Sequence, residues 1–235
     1  SVAVSRGGIP SSCSGVMPMQ EIVMLKFYHA PWSRSSNVLW LLEELGVDYQ
    51  LEHVDIRQQG GVPESYRTIQ PNKKVPAIEH DGVVVTERAA ITTYLCDAFP
   101  QAGLAPKIGD RDRGPYLTWL VYADAVFDPV VAAHAQKWKY EGIAFSFGSY
   151  DDMVANLERR LSQSTYIAGE RFTGADVQMA GSMAYVLKQG WLPDKPVFKD
   201  YVARTTDRPA ARRTDERDIA LAKTVPAFAE MFKGR

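Results

Sequence analysis

Apolar positions fall into two regimes along this 235-residue chain. In the first, short runs of β-formers alternate with helical spacing. Leu25, Phe27 and Tyr28 run into Ala30-Pro31, and a β-rich run halted by proline predicts a strand. Val38, Leu41, Leu42 and Leu45 recur at i, i+3, i+4 and i+7, with Ser33, Ser35, Ser36 and Asn37 as candidate N-caps ahead and Gly46 as a stop behind, which predicts a helix. Tyr49, Leu51, His53, Val54 and Ile56 predict a second strand. Strand, helix and strand in about 30 residues make a βαβ unit with parallel strands and a right-handed crossover. A polar loop at Gln58, Gln59, Gly60, Gly61 and Pro63 leads to a short helical turn at Ser65-Tyr66. Ala77 to Glu79 and Val83 to Val85 then flank Asp81-Gly82 as a hairpin. Ile91, Tyr94, Leu95 and Ala98 repeat the helical spacing, so the first half reads βαβ then ββα.

In the second regime the strand signals stop. Pro100, Gly103, Pro106 and Gly109 interrupt the segment from Phe99 to Asp112, the expected linker. Beyond it the spacing predicts helices over Tyr116 to Lys137, Tyr150 to Leu161, Ala175 to Lys188, Val197 to Thr205 and Ala220 to Phe232, with Arg208-Pro209-Ala210 expected to end a helix. Phe172-Thr173-Gly174-Ala175-Asp176-Val177 reads as a capping box, with Asp176 reaching back to Thr173, and its role is folding. The expected division is a disordered leader at 1–23, a mixed α/β domain at 24–100, a linker at 101–112 and an α-helical domain at 113–235.

Composition removes several function classes. With 27 basic and 28 acidic side chains the net charge is -1, which gives no electrostatic footprint for nucleic acid or an anionic membrane. A hydrophobic share of 46% and a charged share of 23% are those of an ordinary globular protein. No apolar run approaches the roughly 20 residues of a membrane helix. Cys13 and Cys96 are too few for a disulfide framework, which points to a reducing cytoplasm, and the four scattered histidines have no metal spacing, so no metal is expected. The expected partner is a small molecule or a second copy of the chain.

Candidate chemistry concentrates between Lys73 and Ile91. Val75-Pro76 is an X-Pro bond ahead of a strand, where a cis peptide tends to sit, and Glu87-Arg88 places charge at a helix N-terminus. If that bond is cis, the Val75 backbone turns outward as an unpaired strand edge. Upstream, Ser33 follows Tyr28-His29-Ala30-Pro31-Trp32 and opens a helix, where a hydroxyl can donate to an anion.

The succession of a βαβ unit, Lys74-Val75-Pro76-Ala77-Ile78, a hairpin, Thr86-Glu87 opening a helix, and an all-helical half with Phe-Thr-x-Ala-Asp resembles the cytosolic glutathione transferase superfamily, of bacterial type with a Ser-type active site. The resemblance runs from Met24 to about Phe232. It implies a thioredoxin-like N-terminal domain, an α-helical C-terminal domain, a cytoplasmic homodimer with a detoxifying role, and glutathione as co-substrate. It places the cysteinyl part of glutathione on Val75 and Pro76 and the γ-glutamyl ammonium on Glu87. At the next position, where the family usually has Ser, stands Arg88, whose guanidinium is a candidate partner for the γ-glutamyl carboxylate. Lys73 and Lys74 are candidates for the glycyl carboxylate, and Gln58 and Gln59 for the tripeptide. Ser33, with Ser35 as the alternative, resembles the serine that holds the thiolate; Tyr28 lies inside a strand and reads as core. The electrophile pocket is expected to be walled by Trp32, Tyr116, Trp119, Tyr122 and Phe127. A glutathione-dependent peroxidase or disulfide reductase, or a non-enzymatic binding module, are the other readings.

Overall fold

The computed structural model of the protein describes residues 25–233, so the expected leader, with Cys13, lies outside the described residues. Strand β1 (Leu25–His29), helix α1 (Ser36–Leu45) and strand β2 (Gln50–His53) form the βαβ unit, and β1 and β2 are parallel, with His29 opposite His53. Helix α1 forms because Val38, Leu39, Leu41, Leu42 and Leu45 give it a buried face, and it stops because Gly46 adopts φ 65° and returns its N–H to Leu42, a conformation that glycine takes without side-chain strain. Strands β3 (Ala77–His80) and β4 (Val83–Thr86) make the hairpin, and helix α2 (Arg88–Ala98) follows. The sheet order is β2-β1-β3-β4, with β3 antiparallel to both of its neighbours. This is a mixed four-stranded thioredoxin-like sheet.

Register fixes where a site can form. Tyr28 pairs with Ala77, and Ala77 pairs with Thr86. The end of β1, the start of β3 and the end of β4 therefore lie at one end of the sheet. The chain leading into α1, the Val75-Pro76 peptide and the start of α2 are brought together there by strand pairing alone.

The helical part contains α3 (Arg113–Tyr122), a π-helical turn (Ala123–Phe127), α4 (Asp128–Ala135), α5 (Tyr150–Gln163), α6 (Gly174–Lys188), α7 (Pro196–Thr206), α8 (Pro209–Ala222) and a final 3-10 segment (Pro226–Phe232). Helix α6 is central, packing on α1, α2, α3 and α7. The capping box at its start is formed: Asp176 accepts from the Thr173 N–H and hydroxyl, the Ile167 N–H and the Tyr201 hydroxyl. Burial pushes its carboxyl up to about 6, against the pull of those hydrogen bonds.

Two sequence expectations change. Arg208-Pro209-Ala210 opens helix α8 rather than only closing the helix before it, since Pro209 occupies the first turn, where its missing N–H costs nothing. The continuous helical stretch 113–135 is also long and apolar enough by composition to cross a membrane, contrary to the sequence reading. Its apolar residues have a use within the fold: Tyr116, Leu120, Ala123, Phe127, Val130 and Ala133 form a fully buried stripe.

Candidate active site

The start of α1 is held by a chain of hydrogen bonds. Ser33 Oγ lies 2.8 Å from the Ala30 carbonyl oxygen, 2.7 Å from Ser35 Oγ, and accepts from the Ser35 N–H at 3.1 Å. Ser33 is partly exposed, whereas Ser35 is fully buried. Ser35 Oγ in turn lies 2.7 Å from His29 Nδ1 and accepts the Ala30 N–H at 3.1 Å. His29, also fully buried, meets Asp218 Oδ1 through Nε2 at 2.8 Å. The second carboxylate oxygen of Asp218 accepts from the Ser36 hydroxyl at 2.5 Å and the Trp32 N–H at 3.3 Å. Neither His29 nor Asp218 stood out in the sequence as a functional group. The available signal was His29 itself, a polar ring closing a buried strand, which must find partners.

The start of α2 is built differently. Glu87 is an exposed residue at φ 68°, ψ 126°, and its carboxylate has no hydrogen-bond partner among the described residues. A non-glycine residue at positive φ is uncommon and is often found where function constrains the backbone. Arg88 points the other way. Its guanidinium is buried, donating to Ser182 Oγ at 3.1 Å, to Asp128 Oδ2 at 2.7 Å and to Asp124. Asp124 also accepts the Ala89 N–H at 3.1 Å, so an internal carboxylate occupies part of the helix N-terminus. The sequence expectation that the Arg88 guanidinium meets a ligand carboxylate is corrected: two internal aspartates and a serine already satisfy it. The π turn brings this about by placing Asp124 within the widened turn and Asp128 just after it.

Between these helix starts lies the strand edge. The Val75-Pro76 peptide is cis, and the Val75 N–H has no acceptor among the described residues. Lys74 is exposed, its backbone held by Gln70 and Tyr66, while the Lys73 ammonium is taken by Glu64 and the Val62 carbonyl. Gln58 folds back onto the Gly61 carbonyl. The Tyr28 hydroxyl donates to Glu79 and lies within the sheet, and burial, then Glu79, pushes its pKa up.

Of the aromatic residues proposed for a second pocket, the structure brings only Trp32 to this end of the sheet. Trp32 is 37% exposed and packs on Phe228 and Phe232 with ring centroids 4.7 and 6.0 Å away. Arg57 lies over Phe228 and donates to the Pro31 and Trp32 carbonyls. Tyr116 is instead fully buried, its hydroxyl beside the Cys96 thiol under α6. Trp119 packs on Tyr122 in the helical core and Phe127 is buried. These four helical aromatics belong to the packing of the helical part, and the aromatic wall beside Trp32 comes from the 226–232 segment. Cys96, the one free thiol among the described residues, has its pKa pushed up to about 12 by burial. Among those residues no group of three or more His, Cys, Asp or Glu is arranged to hold a metal ion.

A thioredoxin-like domain joined to a helical domain, with a hydroxyl-bearing helix start, a cis-proline edge and an acidic helix start at one end of the sheet, defines a class. Comparison with known proteins agrees. Residues 31–98 match the family model for the glutathione S-transferase N-terminal domain. Glutathione S-transferase 3 of Schizosaccharomyces pombe is 28% identical over 214 residues, covering 83% of this chain and 88% of that protein. The disulfide-bond oxidoreductase YfcG of Escherichia coli is 27% identical over 201 residues, covering 80% and 92% respectively. Among solved structures, a glutathione transferase from Methylococcus capsulatus superposes with a TM-score of 0.69 at 25% identity, covering 83% of this chain and 99% of that one. A sphingomonad glutathione S-transferase complexed with glutathione gives 0.68 at 25% identity, covering 82% and 98%. Over residues 31–98 the chain carries a glutathione S-transferase N-terminal domain, and the relatives and solved structures above extend the likeness to glutathione transferases over about four fifths of the chain.

Proposed function

We propose that the protein is a glutathione transferase that adds the glutathione thiolate to an apolar electrophile. The observation that carries this reading is the convergence, at one end of the sheet, of Ser33, the Val75 strand edge and the exposed Glu87. The cysteinyl part of an extended tripeptide pairs with the Val75 backbone, as a peptide does when it extends a sheet edge. Glu87 receives the γ-glutamyl ammonium. With its guanidinium engaged, Arg88 contributes its backbone N–H to the γ-glutamyl carboxylate, aided by the helix dipole. Lys74 is left for the glycyl carboxylate. The electrophile lies against Trp32 and the Phe228 and Phe232 rings.

The chemical task at the sulfur is ionisation. A thiol of pKa about 8.5 is only a few per cent thiolate at pH 7, and lowering it by two units requires about 2.7 kcal/mol of differential stabilisation. A charge-assisted hydrogen bond from Ser33 at the start of α1 supplies a large part of that. Saturable glutathione binding by calorimetry, with turnover of an activated aryl halide, is the expected result; absence of saturable binding refutes the reading.

The likeness to YfcG supports a second reading, reduction of mixed disulfides. Cys96 is buried with a raised pKa, so the attacking thiol would be that of glutathione itself. Faster turnover of a mixed disulfide than of aryl halides would favour this alternative. A homodimer is part of the proposal, docking through the open apolar groove lined by Val85, Ala89, Ala90, Tyr94, Ala98 and Val121. Light scattering that returns a monomer mass would refute it.

A further inference from the structure

Ser33 is the outer end of a line of four polar side chains, Ser33, Ser35, His29 and Asp218, that runs from the partly exposed helix start into the contact between α1 and α8. The three links measure 2.7, 2.7 and 2.8 Å. Three of these residues make up the set found in hydrolytic triads, yet Ser35 is 0% exposed and cannot reach an acyl carbon. A buried hydroxyl between another hydroxyl and an imidazole can pass a proton instead.

Proton counting gives the line a direction. An ionised carboxylate only accepts, so His29 Nε2 carries a hydrogen and donates it to Asp218. In the neutral ring Nδ1 is then an acceptor, and Ser35 O–H donates to it. Ser35 Oγ takes the Ala30 N–H as a donor, and the Ser33 O–H lies between two acceptors, the Ala30 carbonyl at 2.8 Å and Ser35 Oγ at 2.7 Å; when it turns to Ser35, Ser33 Oγ, which also accepts the Ser35 N–H, keeps one lone pair. A ligand thiol meets an acceptor there.

We infer that His29 is the proton acceptor of the site, acting on the thiol of bound glutathione through Ser33 and Ser35, with Asp218 as the residue that fixes its tautomer. This rests on the glutathione reading above. The thiol proton passes to Ser33 Oγ, the Ser33 proton to Ser35 Oγ and the Ser35 proton to His29 Nδ1. One proton leaves sulfur and one arrives on the imidazole, so thiolate and imidazolium form together. Afterwards the bonds are reversed: His29 donates to Ser35, Ser35 to Ser33, and Ser33 to the thiolate. The same line that removes the proton thus presents a donor to the anion it creates, and Asp218 compensates the imidazolium. His29 and Asp218 touch no ligand and are positioning residues. Other titratable groups facing this pair are His53, opposite His29 on β2, whose pKa burial lowers, Asp215 one turn back on α8, whose pKa burial raises, and Tyr49, whose pKa burial raises and which feels both Asp218 and Arg217.

The test uses the wild-type protein labelled with 15N at histidine. At pH 7, saturation with glutathione is expected to move the His29 ring nitrogens to the imidazolium pattern, whereas saturation with S-methylglutathione, which has no thiol proton to give, leaves them neutral. A purely structural role for His29 would give the same spectrum with both ligands, and that result overturns the proposal while leaving the glutathione site standing. If neither ligand binds, it is the glutathione reading that fails. As a second measurement, His29→Asn, with S-methylglutathione affinity within twofold of wild type, should raise the ionisation midpoint of bound glutathione by about one to two pH units, read from thiolate absorbance. An unchanged midpoint overturns the relay.

Discussion

Helices α1 and α2 begin at the same end of the sheet, and an aspartate from the helical part reaches each start. At α1 it is Asp218, held by the His29 imidazole, the Ser36 hydroxyl and the Trp32 N–H; at α2 it is Asp124, held by the buried guanidinium of Arg88 and the Ala89 N–H. The first arrangement leaves a proton free to move. The second leaves none, because an arginine keeps its charge at any working pH. One helix start is therefore fitted for chemistry and the other for rigidity, although both join the two parts of the chain. Asp128 links them, accepting from Arg88 and also from Arg34 at 2.6 Å.

The largest effect should come from breaking the rigid start. Arg88→Ala leaves Asp124 and Asp128 facing a vacated cation site, and a loss of about 3 kcal/mol in unfolding free energy is expected by urea titration. If stability is unchanged, the contrast between the two starts is wrong.

Asp176 at the start of α6 is a purely structural reference for both. Its carboxyl rises from the ordinary 3.8 to about 6, so between those values the folded protein holds a proton that the unfolded chain has released. The contribution is fully present below the unfolded value and is lost as pH rises through the folded one. Stability should thus fall by roughly 2 kcal/mol from about pH 4 to about pH 6. Asp176→Asn, which cannot ionise, should flatten that slope in denaturant midpoints measured across the window.

Ser33→Ala probes the chemical start. It should lower kcat/KM about tenfold to a hundredfold, in line with two pH units of thiol ionisation, while S-methylglutathione still binds in calorimetry. Smallest is Phe228→Ala, which removes one aromatic contact to Trp32 worth about 1 kcal/mol. Faster amide exchange confined to residues 226–232, with thiol ionisation unchanged, is the expected readout.

The βαβ unit, hairpin and α6 cap were legible because their buried faces are apolar and their turns use glycine, proline and aspartate. Helix α8 was not, and the reason lies in its buried face. That face is Ala210, Ala211, Thr214, Asp218 and Ala222, small or polar at four-residue spacing, so no hydrophobic period announces it. Asp218 sits among Arg212, Arg213, Asp215, Glu216 and Arg217 and reads as one more solvated charge. Its partner His29 is 189 residues away. Ser33, Val75 and Glu87 could be named as candidates because turn and cap chemistry marks their positions and the family resemblance gives them roles; the ion pairs that turn Arg88 inward leave no local mark. The aromatic positions Tyr116 and Trp119 failed as pocket residues because helical spacing reports burial, not which cavity a side chain faces.

The π turn at Ala123–Phe127 makes the Arg88 contact a matter of helix phase. A π turn holds one residue more than regular α-helix, as a single-residue insertion would leave it. Removing one residue between 123 and 127 would therefore let the segment close as regular α-helix with α3 and α4 in their present phase. The buried faces on either side, Tyr116 and Leu120 before the turn and Val130 and Ala133 after it, would keep their partners, and what would go is the widened turn that carries Asp124. A one-codon deletion here should loosen the Arg88 ion pairs while leaving the packing of α3 and α4 in place, so the extra residue is a local insertion that the helix absorbs.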